Sequence, residues 1–69
     1  MIYARACDLR RGDRVLLRPH ERRSARSVQY TVWAVHEDET GVSVRETDVY
    51  RKRVPRVYRY GPREWVWVG

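Results

Sequence analysis

Apolar and polar residues alternate with a period of two along most of this 69-residue chain, and no segment repeats apolar residues at i, i+3 and i+4. Alternation puts successive side chains on opposite faces of a pleated strand, whereas an amphipathic helix needs the longer spacing. The chain is therefore expected to be all-β. The clearest run is Val28 to His36, where Val28, Tyr30, Val32 and Ala34 share one face and Gln29, Thr31, Trp33 and Val35 the other. Trp33 and Val35 keep the second face from being wholly polar. This strand is expected to be central and partly covered on both sides.

Glycine, proline and small polar residues cut the remaining alternation into short pieces. Ile2-Tyr3-Ala4 reads as a first strand. Asp8 to Asp13 reads as a turn, with Gly12 free to take positive φ. Arg14 to Arg18 follows as a strand centred on Val15, Leu16 and Leu17, and Pro19 stops it because proline cannot donate to a ladder. His20 to Ser27 is polar and basic, which predicts a loop or one short exposed helical turn. Glu37-Asp38-Glu39-Thr40-Gly41 reads as a hairpin connection, and Val42 to Asp48 as its partner strand with Val42 and Val44 on one face. Val49 to Val54 continues extended, Pro55 interrupts, and Arg56 to Tyr60 is extended again. After the Gly61-Pro62 turn, Glu64 to Val68 is a last strand with Trp65 and Trp67 opposite Val66 and Val68. At least one of Trp65 and Trp67 is expected to fill the interior, whereas any of Trp33, Trp65 and Trp67 left exposed would be a candidate stacking ring.

Residues 1–69 thus form one small domain, expected to be a strongly twisted, nearly closed barrel of five or six strands. A chain this short buries only about 60% of its unfolded surface, so the core is thin. Cys7 is the one cysteine, which excludes an intrachain disulfide and a Cys-rich metal cluster. It reads as a small buried hydrophobe, and a lone thiol fits a reducing compartment. The chain begins with Met1 and holds no apolar run of signal-peptide or membrane-span length, so a cytoplasmic location is expected.

The segment Asp8-Leu9-Arg10-Arg11-Gly12-Asp13-Arg14-Val15 resembles the entry of SH3-like small barrels such as KOW and Tudor-type domains: a leucine, two residues, Gly-Asp, one residue, then Val. The likeness continues through a strand, a variable loop, Tyr30-Thr31-Val32-Trp33-Ala34-Val35, an acidic hairpin and Gly41-Val42-Ser43-Val44. It covers about residues 8–48, and residues 49–69 match no comparable pattern. The resemblance implies a small SH3-like barrel that binds RNA, DNA, RNA polymerase, ribosomal components or peptides.

Net charge is +6, and 15 residues are basic. Only Lys52 among these is lysine, a skew that a high-GC genome also produces through codon usage. The placement of the charges is therefore more informative than their type. Residues 49–63 carry Arg51, Lys52, Arg53, Arg56, Arg59 and Arg63 with no acidic residue, and Tyr50, Tyr58 and Tyr60 are interleaved. Cations that pair with phosphate and rings that stack on bases are the ingredients of a nucleic-acid surface. The loop from Arg18 adds Arg18, Arg22, Arg23 and Arg26 against Glu21. If loop and strand lie side by side they make one patch. In that patch Arg51, Lys52, Arg53, Arg56 and Arg59 contact phosphate, Arg22, Arg23 and Arg26 extend the footprint, and Tyr58 or Tyr60 stacks. The same alternation also fits the solvated face of a sheet, and the loop also fits a solubilising one. The alternative function is a protein-interaction or structural module that docks on an acidic partner or self-associates.

No catalytic set can be assembled. His20 and His36 have no Cys or Asp at ligand spacing, no Gly-rich phosphate loop is present, and the spacing of Glu37, Asp38 and Glu39 matches no calcium loop. Arg11-Gly12-Asp13 reads as a turn. A non-enzymatic module with no metal or cofactor is expected, of a size and bias that suit an accessory protein of a high-GC bacterium or its phage.

Overall fold

A computed structural model describes residues 1–48 and 54–69 of the protein. Six strands follow the alternation: β1 (Ile2–Arg5), β2 (Arg14–Leu16), β3 (Gln29–Asp38), β4 (Gly41–Glu46), β5 (Val57–Tyr60) and β6 (Trp65–Val68). All pairings are antiparallel, and the strands form one sheet in the order β1-β6-β2-β3-β4-β5. Among the described residues no ladder joins the edge strands β1 and β5. The predicted extended segment 49–54 lies outside the described residues except for Val54.

The core is the inner face of this one sheet. Val15, Tyr30, Val32, Val42, Val44, Tyr58, Tyr60, Val66 and Val68 meet there, with Ala6, Leu9 and Leu17 from the connections. Among the described residues no second layer covers them, so the sheet has to curl around its own apolar face. β3 is where it bends. Its first half pairs with β2 and its second half with β4, and a bulge falls between Val32 and Ala34. A bulge adds one unpaired residue and reverses the facing of everything beyond it. Val35, opposite Val44, therefore packs on the core, whereas Ala34, expected to face inward with Val32, is exposed. Val28 is exposed as well, just outside β3.

Three further expectations are corrected. Trp65 and Trp67 do not fill the interior; they are 44% and 49% exposed, and Val66 and Val68 face the core instead. Four β-branched valines, Val15, Val32, Val42 and Val44, are wholly buried and already fill the narrow centre, where an indole would overpack. The predicted short exposed turn after Pro19 is a 3₁₀ turn, Pro19–Glu21, but Glu21 is only 6% exposed. Cys7 is half-buried against the core rather than enclosed by it.

Turn chemistry closes the connections as the sequence implies. Gly12 takes φ +96° and Gly41 φ +145°. At the β3–β4 hairpin, Asp38 Oδ1 accepts from Thr40 N, Thr40 Oγ1 and Gly41 N at 2.8, 2.6 and 3.1 Å. The Gly61-to-Glu64 turn carries the chain from β5 to β6. There Gly61 N donates to Glu64 Oε1 at 3.1 Å, and Ala6 N donates to the Glu64 carbonyl at 3.0 Å.

Candidate functional site

The loop that follows β2 lies against β5, as a merged basic patch requires. Arg56 Nη1 donates to the Glu21 carbonyl at 2.9 Å, and Arg18 Nη2 to the Arg59 carbonyl at 3.2 Å. Arg23 reaches Glu46 of β4 at 3.1 Å. A shallow hollow of about 200 Å³ separates loop from sheet, with Arg23, Ser27, Gln29, Glu46 and Arg56 in its wall. Glu46 sits at the centre of this contact, accepting from Arg56 N at 2.9 Å and from the Tyr58 hydroxyl at 3.3 Å as well as from Arg23.

The predicted site residues therefore divide by how much of their charge is free. Arg22, Arg26 and Arg63 are exposed. Arg23 and Arg56 are anchored to Glu46 and to the Glu21 carbonyl, and the Arg56 guanidinium lies 5.3 Å from the Tyr58 ring. Arg59 leans on the hairpin, donating to Ser43 Oγ and to Thr40 Oγ1, with Asp38 4.0 Å away. Arg51, Lys52 and Arg53 lie outside the described residues. Tyr58 and Tyr60 are not stacking platforms, because both rings are buried. The Tyr30 and Tyr60 hydroxyls share a hydrogen bond of 2.7 Å, and the Tyr30 and Tyr58 rings stack with centroids 4.1 Å apart. Alternation through 56–60 pairs Tyr58 with Tyr60 correctly; a phenol faces inward here because each hydroxyl finds a partner.

Arg18 is structural rather than free. Its guanidinium bonds Glu21 Oε2 at 2.7 Å and Glu64 Oε2 at 2.6 Å, and lies 4.7 Å from the Tyr60 ring. It thereby ties the end of β2 to the β5–β6 turn across the part of the sheet that has no ladder. Burial by itself would push the Glu21 carboxyl up, but hydrogen bonds from the Arg18 side chain and backbone outweigh it and hold Glu21 below the usual carboxylate range. Burial first, and then the Glu21 charge, push the Tyr60 hydroxyl up to about 12 against the lowering effect of Tyr30 and Arg18. Burial and the Tyr60 hydrogen bond raise Tyr30 further.

The structure also reveals a surface that the sequence reading missed. Tyr3 of β1 stands opposite Trp67 of β6, and Arg5 opposite Trp65. All four side chains point away from the core, and Tyr3 is 52% exposed. Tyr3 lies 5.4 Å from Trp65 and 4.6 Å from Trp67 between ring centroids, so the three rings form one continuous patch. The Arg5 guanidinium lies 5.4 Å from the Trp65 ring. A cleft of about 270 Å³ opens beside the rings, walled by Tyr3, Trp65, Trp67, Leu16, Arg18 and Arg22. The signal was present in Trp65-Val66-Trp67-Val68, which has two apolar faces and so must expose one of them in a single-layer sheet. Trp33 is a separate exposed ring, covered by the Arg11 guanidinium at 4.1 Å.

No family model, curated protein or solved structure matches the chain. Chemistry on the surface must carry the functional reading. Among the described residues, no three His, Cys, Asp or Glu side chains are grouped so as to hold a metal ion, and no helix is long and apolar enough to cross a membrane. The acidic hairpin uses Asp38 as a turn anchor, and Thr40 side-chain and backbone hydrogen bonds hold its carboxyl below the usual range. What remains is a surface with exposed arginines, a cleft and exposed aromatic rings.

Proposed function

We propose that the protein is a non-enzymatic nucleic-acid-binding module, built as an SH3-like small barrel and acting in the cytoplasm. The observation that carries this reading is the contact between the 18–26 loop and β5, in which Arg56 bonds the Glu21 carbonyl and Arg18 the Arg59 carbonyl. It brings the loop that carries Arg22, Arg23 and Arg26 against the segment that carries Arg56 and Arg59, and the net charge of +6 favours a polyanion. Arg51, Lys52 and Arg53, outside the described residues, are part of this proposal on the sequence alone. Six antiparallel strands in one sheet that curls around its own core support the barrel, and a lone thiol supports the reducing compartment.

Titration of the protein with short single- and double-stranded oligonucleotides at two salt concentrations tests this function. Binding is expected to weaken steeply with salt, with a logarithmic slope of about −0.9 for each duplex phosphate neutralised. Replacing Arg22, Arg26 and Arg63 together by alanine is expected to make that slope shallower. Absence of binding even at low salt overturns the proposal.

A second reading, self-association, is favoured by one observation: β1 is an edge strand whose Met1, Ile2 and Tyr3 are exposed. Unpaired edges with apolar side chains invite strand addition. A concentration-dependent sedimentation measurement decides it, since a monomer at every concentration removes this alternative.

A further inference from the structure

We infer that the patch of Tyr3, Trp65 and Trp67 is a stacking platform for unpaired bases, so that the ligand taken here is single-stranded nucleic acid. This rests on the nucleic-acid reading and deepens it. The platform lies on the outer face of β1 and β6, and it uses neither Tyr58 nor Tyr60.

Three rings, each about half exposed, with Tyr3 stacked on Trp65 and tilted against Trp67, leave a contiguous apolar surface that a monomeric domain ordinarily covers. The choice of occupant follows from charge. Arg5 borders the patch, Arg22 walls the cleft, and Arg14 lies on the outer face of β2, whose neighbour Val15 pairs with Val68 of β6. The nearest carboxylates are already engaged: Glu64 by Arg18 and Gly61 N, Glu21 by Arg18. An incoming group therefore meets flat rings ringed by positive charge. A second copy of this chain would bring its own Arg5, Arg14 and Arg22 against these, which opposes self-association through this face. A nucleotide supplies both complements at once, a π-face for the rings and a phosphate for the arginines.

Strandedness follows from geometry. In a duplex the base faces are occupied by their own neighbours, and only unpaired bases can lie on a protein ring. The cleft of about 270 Å³ is below the roughly 300–1,000 Å³ typical of small-molecule pockets. It suits one splayed base, with Leu16, the Trp67 ring and Arg22 among the groups that line it. The basic side formed by the 18–26 loop then continues the path of the backbone, because Arg22 belongs to both surfaces.

The test is a fluorescence titration of the whole protein with oligothymidylate of about ten nucleotides, a length within the footprint of small single-strand binders. Duplex DNA of the same length, and polyglutamate, are titrated in parallel. Quenching of tryptophan emission by the single strand is expected. Trp65→Leu and Trp67→Leu are each expected to lower single-strand affinity about 5- to 100-fold, the loss of one stacked base, while duplex affinity changes less than about twofold. Tyr3→Leu is expected to act in the same direction. Wild-type quenching keeps the test decisive if a variant is unstable. Equal affinity for single strand and duplex, with no quenching and no effect of the three variants, overturns the platform and leaves the basic surface standing. Failure of both nucleic acids at low salt overturns both. Polyglutamate binding that matches the single strand and depends on the same rings overturns the inference in favour of an acidic protein partner.

Discussion

At Gly41 the backbone turns with φ +145°, and a Cβ there would run into the Tyr60 carbonyl oxygen on the neighbouring strand. At Gly12 φ is +96°, but the space where a Cβ would sit is open. The two glycines therefore separate conformational strain from collision. Gly12→Ala is expected to cost about 1–2 kcal/mol, the left-handed penalty alone. Gly41→Ala adds displacement of β5 and is expected to cost about 2–4 kcal/mol. Urea unfolding of both variants checks the order, and equal losses would show that the β4–β5 contact yields freely. Arg18 is the other residue whose role is sharply defined. Arg18→Met keeps the stem but leaves Glu21 without its ion pair beneath a 6% exposed surface. The expected loss is about 2–3 kcal/mol, below the figure for a wholly enclosed pair because the Arg18 side chain is itself 34% exposed. Arg18→Lys is expected to recover little, since one ammonium cannot bond Glu21, Glu64 and the Arg59 carbonyl in a planar fork.

The elements show what alternation reveals and what it conceals. A period of two led to five or six strands, of which six are present among the described residues, and to which residues of β4, β5 and β6 share a face, because pleating requires it. It could not say which face of β6 points inward, as both Trp65/Trp67 and Val66/Val68 are apolar. The volume available inside a single curled sheet decides that, and volume is a property of all strands together. The bulge in β3 was invisible for a related reason: Trp33 and Ala34 are ordinary strand residues, and only pairing with both β2 and β4 demands an extra one. Likewise, an arginine count cannot separate Arg18, clamped between two carboxylates, from free Arg22. These corrections move the proposed stacking role from the buried Tyr58 and Tyr60 to the exposed Trp65 and Trp67, whose parity was misjudged. Stability measurements on β6 check the parity directly. Val66→Ala is expected to cost about 1–3 kcal/mol through lost burial and a residual cavity. Trp67→Leu, on the outer face, is expected to stay within about 1 kcal/mol of the parent. A larger loss at Trp67 than at Val66 would contradict the assignment.

At the scale of the whole molecule, one partly buried polar cluster joins the 3₁₀ turn, β3, β5 and the β5–β6 turn: Glu21, Arg18, Tyr30, Tyr60 and Glu64. A sheet with no ladder between its edge strands relies on such cross-links, and this one titrates at both ends of the pH scale. Glu21 has its folded value depressed, mainly by Arg18 against the opposing effect of burial. Its contribution is fully present above the unfolded carboxyl value of about 4.3 and is lost as pH falls through the lower folded value. Tyr60 is the reverse case. Its folded value is raised to about 12 while the unfolded phenol ionises near 10. The stabilisation is therefore intact below about pH 10 and declines as pH rises through about 12, with Tyr30 acting in the same sense. Denaturant midpoints measured across pH are expected to form a plateau that falls at both ends. Tyr60→Phe removes the titrating hydroxyl but strands that of Tyr30 in the core, at an expected cost of about 1–2 kcal/mol at neutral pH. The double variant Tyr30→Phe with Tyr60→Phe removes both partners, and is expected to recover most of that loss and to flatten the alkaline limb. An alkaline limb unchanged in the double variant would locate the alkaline weakness outside this cluster, and with it the link that holds β5 to the rest of the sheet.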